Sequence, residues 1–358
     1  MRRGYRGQSG LVAVRRRCAP LERRQPRVAV LGSGSWGTSV ASIVARSTPT
    51  TLWARSPETA EEIDRKHRNK RYLGDARLFD GLRATAHLDE AVADADVLVM
   101  GVPSHGFRDV LRRIALLVRP WIPVVSLVKG LEQGSRKRMT EIVAEVLPGH
   151  PAGVLAGPNI ASDVVAGYAA AATIAMPDQN SASRLADLFR TQRYRVYSTT
   201  DVVGVEMAGA LKNVFAIAAG MGDGAGAGDN TKAMVMTRSL HEMSLLGEAL
   251  GGDPRTFSGL TGMGDLVVTC TSRASRNRRV GEELGKGREI GDILADMSQV
   301  AEGVKAASVV MEFAAETGVD MPIATEVDAV LNHGSTALDA YRGLLRVAPG
   351  HELDGEGW

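Results

Sequence analysis

Cysteine is almost absent from this 358-residue chain, which carries only Cys18 and Cys270. Two cysteines so far apart do not build the disulfide framework of a small secreted domain, and they do not supply a cysteine metal site. We therefore expect no bound metal and a reducing, cytoplasmic environment.

Long uninterrupted apolar runs are also missing. The longest apolar stretches are broken by Lys212, Asp163 or Pro158 before they reach the roughly twenty residues that a membrane-spanning helix needs. The N-terminal segment has no apolar region typical of a secretory signal. We expect no membrane insertion.

Acidic residues are scarce near the N-terminus, where Glu22 is the single acid within residues 1–25. The arginines of this segment are Arg2, Arg3, Arg6, Arg15, Arg16, Arg17, Arg23 and Arg24. We predict a disordered, solvated arm and at best a weak targeting signal, since the segment is nearly free of serine. Attraction to anionic lipid or polymer is an alternative.

The remainder of the chain is mildly acidic, although the formal net charge of the whole is +2. It has no basic patch interleaved with aromatic residues, which is the pattern typical of nucleic-acid binding. The sequence therefore predicts no nucleic-acid partner.

Short β-branched runs alternate with helical patterns in the first half of the chain, which is typical of a parallel, doubly wound sheet. The runs are residues 28–31, 51–53, 97–100, 124–128, 173–176 and 195–197. After Asp201 the strand signals stop and long helical segments follow. The sequence predicts an α/β Rossmann-like, doubly wound domain over 26–200, an all-α domain over 201–347 and a loose tail over 348–358.

A glycine-rich motif, GSGSWG at residues 32–37, directly follows the first predicted strand and opens a helical stretch. Gly32, Gly34 and Gly37 have the spacing that allows a tight turn and a close approach of backbone to a pyrophosphate at a helix N-terminus. This placement favours dinucleotide binding. The alternative is a glycine-rich turn that binds nothing.

Arg55 follows the second predicted strand, where an NAD-preferring fold usually offers an acid to the ribose hydroxyls. Because an arginine can pair with a 2′-phosphate, the sequence favours NADPH without excluding NADH. The alternative is an ordinary surface arginine at a strand end.

Lys212 and Asn213 are the only polar pair in residues 207–219, a stretch that is otherwise apolar or glycine. On a helix, apolar side chains at spacings of three and four share the face of Lys212, so its ammonium would project into protein or into a cleft. Burial lowers the pKa of a lysine, which makes Lys212 a candidate proton donor. The alternatives are a lysine that snorkels to solvent and one that pairs with a buried carboxylate.

A second lysine, Lys129, ends another predicted strand on the same expected edge of the sheet, and two lysines in one cleft indicate an anionic substrate. Asp265 precedes an apolar run, and the hydroxyl, guanidinium and amide of Ser275, Arg276 and Asn277 follow it. Arginine forks near a helix start suit phosphate, although a solvated basic face is the alternative. Together these features indicate a ketone reductase for a small phosphorylated substrate.

At this point the chain resembles the bacterial NAD(P)-dependent glycerol-3-phosphate dehydrogenases, from about Arg27 to about Arg346. The resemblance rests on ordered motifs, which are GSGSWG (32–37), VPSH (102–105), KG (129–130), GP (157–158), GALKN (209–213), NTK (230–232), GDL (264–266), TC (269–270), SRNRR (275–279) and QVAEG (299–303).

The resemblance implies reversible hydride transfer between NAD(P)H and dihydroxyacetone phosphate, which gives sn-glycerol 3-phosphate for phospholipid synthesis. It implies that Lys212 is the catalytic lysine, and that the protein is a homodimer. The implied substrate-binding residues are Lys129, Gly157, Asn159, Lys212, Asp265, Ser275, Arg276 and Asn277. The implied cofactor-binding residues are Gly32, Gly34, Ser35, Trp36, Gly37, Arg55, Lys129, Ala161, Arg276, Val300 and Glu302.

The chain departs from the family pattern at two positions. Asn159 stands where the family usually has serine or threonine, so a larger amide replaces a hydroxyl that contacts the substrate. Asp163 stands where glutamate is usual and has the shorter side chain.

Two rival functions remain open on the residues alone. One is a related two-domain reductase, of the hydroxyacid or ketopantoate type, whose substrate bears a carboxylate instead of a phosphate. The other is a nucleotide sensor that performs no chemistry. An unpaired Lys212 in apolar surroundings would be destabilising without a use, which argues against the sensor.

Overall fold

The computed structural model describes residues 24–297 and 301–346. The arm predicted over residues 1–25 lies almost entirely outside these residues. The tail predicted over 348–358 and the expected cofactor residue Val300 lie wholly outside them.

A sheet of eight strands, in the order β3-β2-β1-β4-β5-β6-β7-β8, fills the first half of the described chain. The strands are β1 (Val28–Leu31), β2 (Thr50–Trp53), β3 (Arg83–Thr85), β4 (Val97–Met100), β5 (Val124–Ser126), β6 (Ala152–Ala156), β7 (Ala170–Ala175) and β8 (Tyr194–Thr199). Since β1 pairs with both β2 and β4, the strand order reverses there. Ligands of such sheets bind in the crevice at this reversal, beyond the carboxyl ends of the strands.

Eight helices connect these strands. They are α1 (Ser35–Val44), α2 (Pro57–Lys66), α3 (Lys70–Leu73), α4 (Leu88–Val92), α5 (Ser104–Ile114), α6 (Met139–Val146), α7 (Ala161–Val165) and α8 (Gln179–Phe189). Alternate residues of β1 point to opposite faces, so that Val30 joins one buried apolar cluster and Leu31 joins another. A core on each face confirms the predicted doubly wound architecture.

One strand pair differs from the fully parallel sheet that the sequence predicted. Strands β6 and β7 are antiparallel, with Leu155 opposite Ile174. The connection between them holds only the five-residue helix α7, and the chain re-enters the sheet from the edge that it left. A parallel return would need a longer crossover over the face of the sheet.

Helices alone make up the described chain after β8. They are α9 (Val202–Gly224), α10 (Asp229–Ala249), α11 (Pro254–Phe257), α12 (Asp265–Thr271), α13 (Arg276–Gly285), α14 (Ile290–Ala295), α15 (Glu302–Thr317), α16 (Pro322–Asn332) and α17 (Ala337–Arg346), with a π-helical turn at Leu260–Gly264. These helices share an apolar core of their own, which includes Phe215, Phe257 and Val310.

Helix α9 is the centre of this helical part, and α10, α12, α13 and α15 pack around it. Its contact with α13 requires glycine, because a Cβ at Gly220 would lie 2.0 Å from the carbonyl oxygen of Arg278. By length and composition α9 could also cross a bilayer, but 89% of its apolar window is buried inside the protein. It is therefore the core helix around which the other helices are arranged.

A buried carboxylate ties α9 to the sheet part of the molecule. Glu206, in the second turn of α9, accepts hydrogen bonds from the backbone N–H of Thr140 (3.0 Å), the hydroxyl of Thr140 (2.5 Å) and the guanidinium of Arg138 (2.9 Å). Burial raises the pKa of Glu206, and the bonds from Thr140 and Arg138 oppose that rise. The start of α6 is thereby held against the helix that carries Lys212.

We predict that Glu206→Ala lowers the free energy of unfolding by about 3 kcal/mol, because it leaves the buried N–H and hydroxyl of Thr140 without their acceptor and takes from the partly buried guanidinium of Arg138 one of its two carboxylate partners. Urea unfolding followed by circular dichroism measures the change. Glu58→Ala removes an exposed carboxylate and is the matched control, for which we expect little change. Equal effects of the two substitutions would contradict the role of Glu206.

Candidate active site

The glycine-rich turn lies between β1 and α1, at the carboxyl edge of the sheet. Gly32 has a φ of 118°, which favours glycine, and a Cβ at Gly37 would lie 2.0 Å from the carbonyl oxygen of Gly32. A Cβ at Gly34 would meet nothing within 4 Å. No side chain of the described residues caps α1 at Gly34, so the N–H groups of its first turn can receive an anion.

Other expected cofactor residues surround this turn. Ser35 and Trp36 begin α1, and Ala161 begins α7. The hydroxyl of Ser39 donates to the carbonyl oxygen of Ala161 (3.2 Å), which holds α7 against α1. Arg55 is exposed just beyond the end of β2, the strand that pairs with β1.

Lys212 is buried at a relative exposure of 4%, and it has specific partners. Its Nζ donates to Oδ1 of Asp265 (2.9 Å) and to the hydroxyl of Thr269 (2.6 Å). The other oxygen of Asp265, Oδ2, accepts from Nζ of Lys129 (2.6 Å). One carboxylate therefore lies between two ammonium groups.

The surroundings of Lys212 lower the pKa of its ammonium group. Burial lowers the pKa of Lys212 to about 8; the charge of Asp265 opposes this shift and the charge of Lys129 adds to it. The group can thus exchange a proton near neutral pH. The sequence left open a pairing with a buried carboxylate, and the structure has that pairing. Since Lys212 is paired, its burial alone does not argue against a non-catalytic sensor.

Hydrogen bonds through two side-chain amides connect Lys129 to the basic segment, residues 275–279. Nδ2 of Asn213 donates to the carbonyl oxygen of Lys129 (2.9 Å), and Oδ1 of Asn213 accepts from Nδ2 of Asn277 (2.8 Å). Oδ1 of Asn277 accepts from the N–H of Gly303 (3.0 Å). The end of β5, α9, α13 and the start of α15 are therefore held in one arrangement.

Two further expected residues, Ser275 and Arg276, lie at the start of α13. The hydroxyl of Ser275 caps α13 by accepting from the N–H of Arg278 (3.2 Å). Arg276 is exposed to solvent, although desolvation by the surrounding protein lowers the pKa of its guanidinium and the charge of Glu302 opposes that shift. Glu302 in turn accepts from the hydroxyl of Ser104 (3.0 Å), at the start of α5.

The segment after β6 contributes the remaining expected residues. The carbonyl oxygen of Gly157 accepts from Nζ of Lys129 (2.8 Å). Nδ2 of Asn159 donates to the carbonyl oxygen of Ala171 (3.1 Å). The structure therefore brings Lys129, Gly157, Lys212 and Asp265 into direct contact.

Sequence reasoning missed Thr269 as part of this site. Its hydroxyl accepts from Lys212 and donates to the carbonyl oxygen of Asp265 (2.5 Å), so it fixes the direction of the ammonium. A signal was present, because Thr269 lies four residues after Asp265 and so shares its face of α12.

The arrangement combines a lysine whose pKa is lowered, a second positive charge and an uncapped glycine turn at one edge of a sheet. Such a set can reduce a carbonyl group if a dinucleotide supplies hydride beside the lysine. Within residues 24–297 and 301–346, no group of three or more His, Cys, Asp or Glu could hold a metal ion.

Comparison with solved structures supports both the fold and the family. A glycerol-3-phosphate dehydrogenase from Coxiella burnetii superposes with a TM-score of 0.85 at 34% identity, over 90% of this chain and 99% of that one. A ketopantoate reductase from Ralstonia eutropha, of the rival type, has a TM-score of 0.55 at 15% identity. The latter likeness shows the fold alone.

Sequence comparison reaches the same family. Family models described as the N-terminus and the C-terminus of NAD-dependent glycerol-3-phosphate dehydrogenase match residues 27–182 and 201–342. A protein of Mycobacterium avium named glycerol-3-phosphate dehydrogenase [NAD(P)+] is 66% identical over 336 residues, which is 94% of this chain and 98% of that protein. One from Mycobacterium tuberculosis is 65% identical over 337 residues, with 94% and 99% covered. The chain belongs to the NAD-dependent glycerol-3-phosphate dehydrogenase family.

Proposed function

We propose that this protein catalyses the reversible reduction of dihydroxyacetone phosphate to sn-glycerol 3-phosphate with NADH or NADPH, and so supplies glycerophospholipid synthesis. The observation that carries the proposal is the contact of Lys212, Asp265 and Lys129 at the carboxyl edge of the sheet. The nicotinamide, when bound, would supply the hydride. The residues of this chain bind and orient the substrate and donate a proton to its carbonyl oxygen.

Lys212 is the proton donor for the carbonyl oxygen in the direction of reduction, and the acceptor in reverse. Its pKa of about 8 permits both roles near neutral pH. Asp265 holds the two ammonium groups apart and in place, and Lys129 adds positive charge where negative charge develops on the oxygen.

The phosphate of the substrate is bound near the start of α13. Arg276 offers a guanidinium fork, and the amide of Asn277 is tied to the lysines through Asn213. Ser275 lies at the helix start, where an anion is favoured. Gly157 and Asn159 complete the substrate site from the side of β6.

The cofactor lies across the glycine-rich turn, where a Cβ at Gly32 or Gly37 would strike backbone and where the start of α1 is uncapped. Gly32, Gly34 and Gly37 would hold the pyrophosphate. The other proposed contacts are Ser35, Trp36, Arg55, Lys129, Ala161, Arg276 and Glu302. Arg55 pairs with a 2′-phosphate, and NADPH is therefore the favoured cofactor.

The two halves share this work: most of the proposed dinucleotide contacts lie on residues 26–200, and most of the proposed substrate contacts lie on residues 201–347. We place the reaction in the cytoplasm, which the unpaired, buried thiol of Cys270 supports.

We also infer a homodimer. Exposed apolar side chains on neighbouring helices, Met234 of α10 and Val267 of α12, support it, and sedimentation velocity of the full chain would detect it.

We predict that Lys212→Met lowers kcat for dihydroxyacetone phosphate reduction about a thousandfold while the Kd of NADPH stays within about twofold. Oxidation of NADPH followed by absorbance measures turnover, and this assay also tests the proposed function. In the unaltered protein, kcat/KM for reduction should fall about tenfold per pH unit above about pH 8, because this parameter reports the free enzyme, in which Lys212 must carry the proton that it donates.

Lys286→Met is the matched control, because Lys286 pairs with Glu282 and Glu283 on the exposed end of α13. We expect it to keep full turnover. Retained activity in Lys212→Met would remove the proton-transfer role, and an absence of turnover in the unaltered protein would remove the proposed function.

We predict that Arg55→Ala weakens NADPH binding at least about tenfold and NADH binding little, because only NADPH carries the 2′-phosphate. Fluorescence titration of each reduced cofactor measures both values. Arg65→Ala, which removes an exposed arginine of α2 paired with Glu61, serves as control. Equal losses for the two cofactors would show that Arg55 does not contact the phosphate.

A further inference from the structure

Among the described residues, several buried polar atoms have no hydrogen-bond partner, and three of them lie on the side of the carboxyl edge formed by β6, β7 and β8. They are Nε1 of Trp36, Oδ1 of Asn159 and the hydroxyl of Tyr194. A buried polar group without a partner is costly, and in native proteins it usually contacts a ligand, an ion or water. Trp36 and Asn159 are already expected ligand contacts, whereas Tyr194 is not.

The position of Tyr194 places it beside the proposed cofactor site. Tyr194 is the first residue of β8 and pairs with Ala170, the first residue of β7. Since β7 is antiparallel to β6, both residues lie at the edge where β6 ends. The ring centroids of Tyr194 and Trp36 are 6.4 Å apart, and Asn159 bonds to Ala171 in the next position of β7.

The chemical state of Tyr194 makes it a hydrogen-bond donor. Its relative exposure is 3%, and burial raises the pKa of its hydroxyl well above the usual value, with a smaller contribution from the charge of Asp265. The hydroxyl therefore keeps its proton.

The three unpartnered atoms offer two donors, the N–H of Trp36 and the O–H of Tyr194, and one acceptor, the amide oxygen of Asn159. A primary carboxamide has the complementary set, because its oxygen carries two lone pairs and its nitrogen carries two N–H donors. All three protein groups are neutral, which does not suit a phosphate.

We propose that Tyr194, together with Trp36 and Asn159, binds the carboxamide of the nicotinamide ring, and that Tyr194 is a further cofactor-binding residue that orients this ring. The inference rests on the proposed function, because it requires the ring to lie beside Lys212. It also gives Asn159 a second role beside its proposed substrate contact, because its amide oxygen is an acceptor for the carboxamide N–H groups.

Tyr194→Phe tests the inference, because it removes one oxygen and keeps the ring. We expect the Kd of NADPH and of NADH to rise about five- to tenfold, while the KM for dihydroxyacetone phosphate at saturating cofactor stays the same. The thermal midpoint without cofactor should stay level or rise, since an unpaired buried hydroxyl is lost. A purely structural hydroxyl would lower that midpoint.

A cofactor analogue identifies the contacted atom. In the reduced thionicotinamide analogue, sulfur replaces the carboxamide oxygen and is a weak acceptor, so Tyr194→Phe should change its Kd by less than about twofold. Tyr197→Phe is the matched control on the same strand, because the Tyr197 side chain is 53% exposed; it should change neither value. Trp36→Phe, which removes the other donor, should weaken NADPH in the same direction as Tyr194→Phe.

An unchanged Kd of NADPH in Tyr194→Phe would overturn the inference, as would equal losses with NADPH and with the thio analogue. A raised KM for dihydroxyacetone phosphate with an unchanged cofactor Kd would show instead that Tyr194 contacts the substrate. These titrations need no turnover. If the proposed function fails, the unaltered protein does not oxidise NADPH with dihydroxyacetone phosphate. That result is distinct from an unchanged Kd of NADPH in Tyr194→Phe, which contradicts the role of Tyr194.

Discussion

The carboxylate of Asp265 is the contact on which the rest of the structure depends. It accepts from Lys129, which follows β5 of the sheet, and from Lys212, which lies in the central helix of the other half. Asp265 and Lys212 are buried and Lys129 is partly buried, and burial of charge is tolerated only when each group is paired and hydrogen-bonded. The same contact joins the two halves of the molecule and aims the ammonium of Lys212 at the crevice.

The helical half is built to keep that ammonium in place. Helix α9 is surrounded by other helices, and at Gly220 the backbone of α13 approaches too closely for any larger residue. The amides of Asn213 and Asn277 then connect α9 to the basic segment. The residues proposed for phosphate recognition and for proton transfer are therefore positioned by one set of hydrogen bonds, which is the kind of arrangement that catalysis by orientation requires.

Much of the architecture could be predicted, because alternating β-branched runs and a glycine turn after a strand are local signals. All six predicted strands are present. Two others were missed: β3 (Arg83–Thr85) is short, exposed and polar, and β6 (Ala152–Ala156) consists mainly of small residues. Neither has the hydrophobic pattern of a strand, since pairing with neighbours in the sheet forms them. The antiparallel placement of β7 likewise depends on where α7 packs.

The burial of Lys212 was determined by the sequence itself, because the residues three and four positions away are apolar wherever the helix goes. The family was also determined at that level, through motifs in a fixed order. Only the tertiary structure decided which groups meet the lysine, since Asp265 and Thr269 are 53 and 57 residues away along the chain. Local periodicity records which face of a helix is covered, whereas the identity of the covering groups depends on how distant elements pack. Tyr194 shows the same limit, because its unpartnered hydroxyl is visible only once the strands and helices around it are in place.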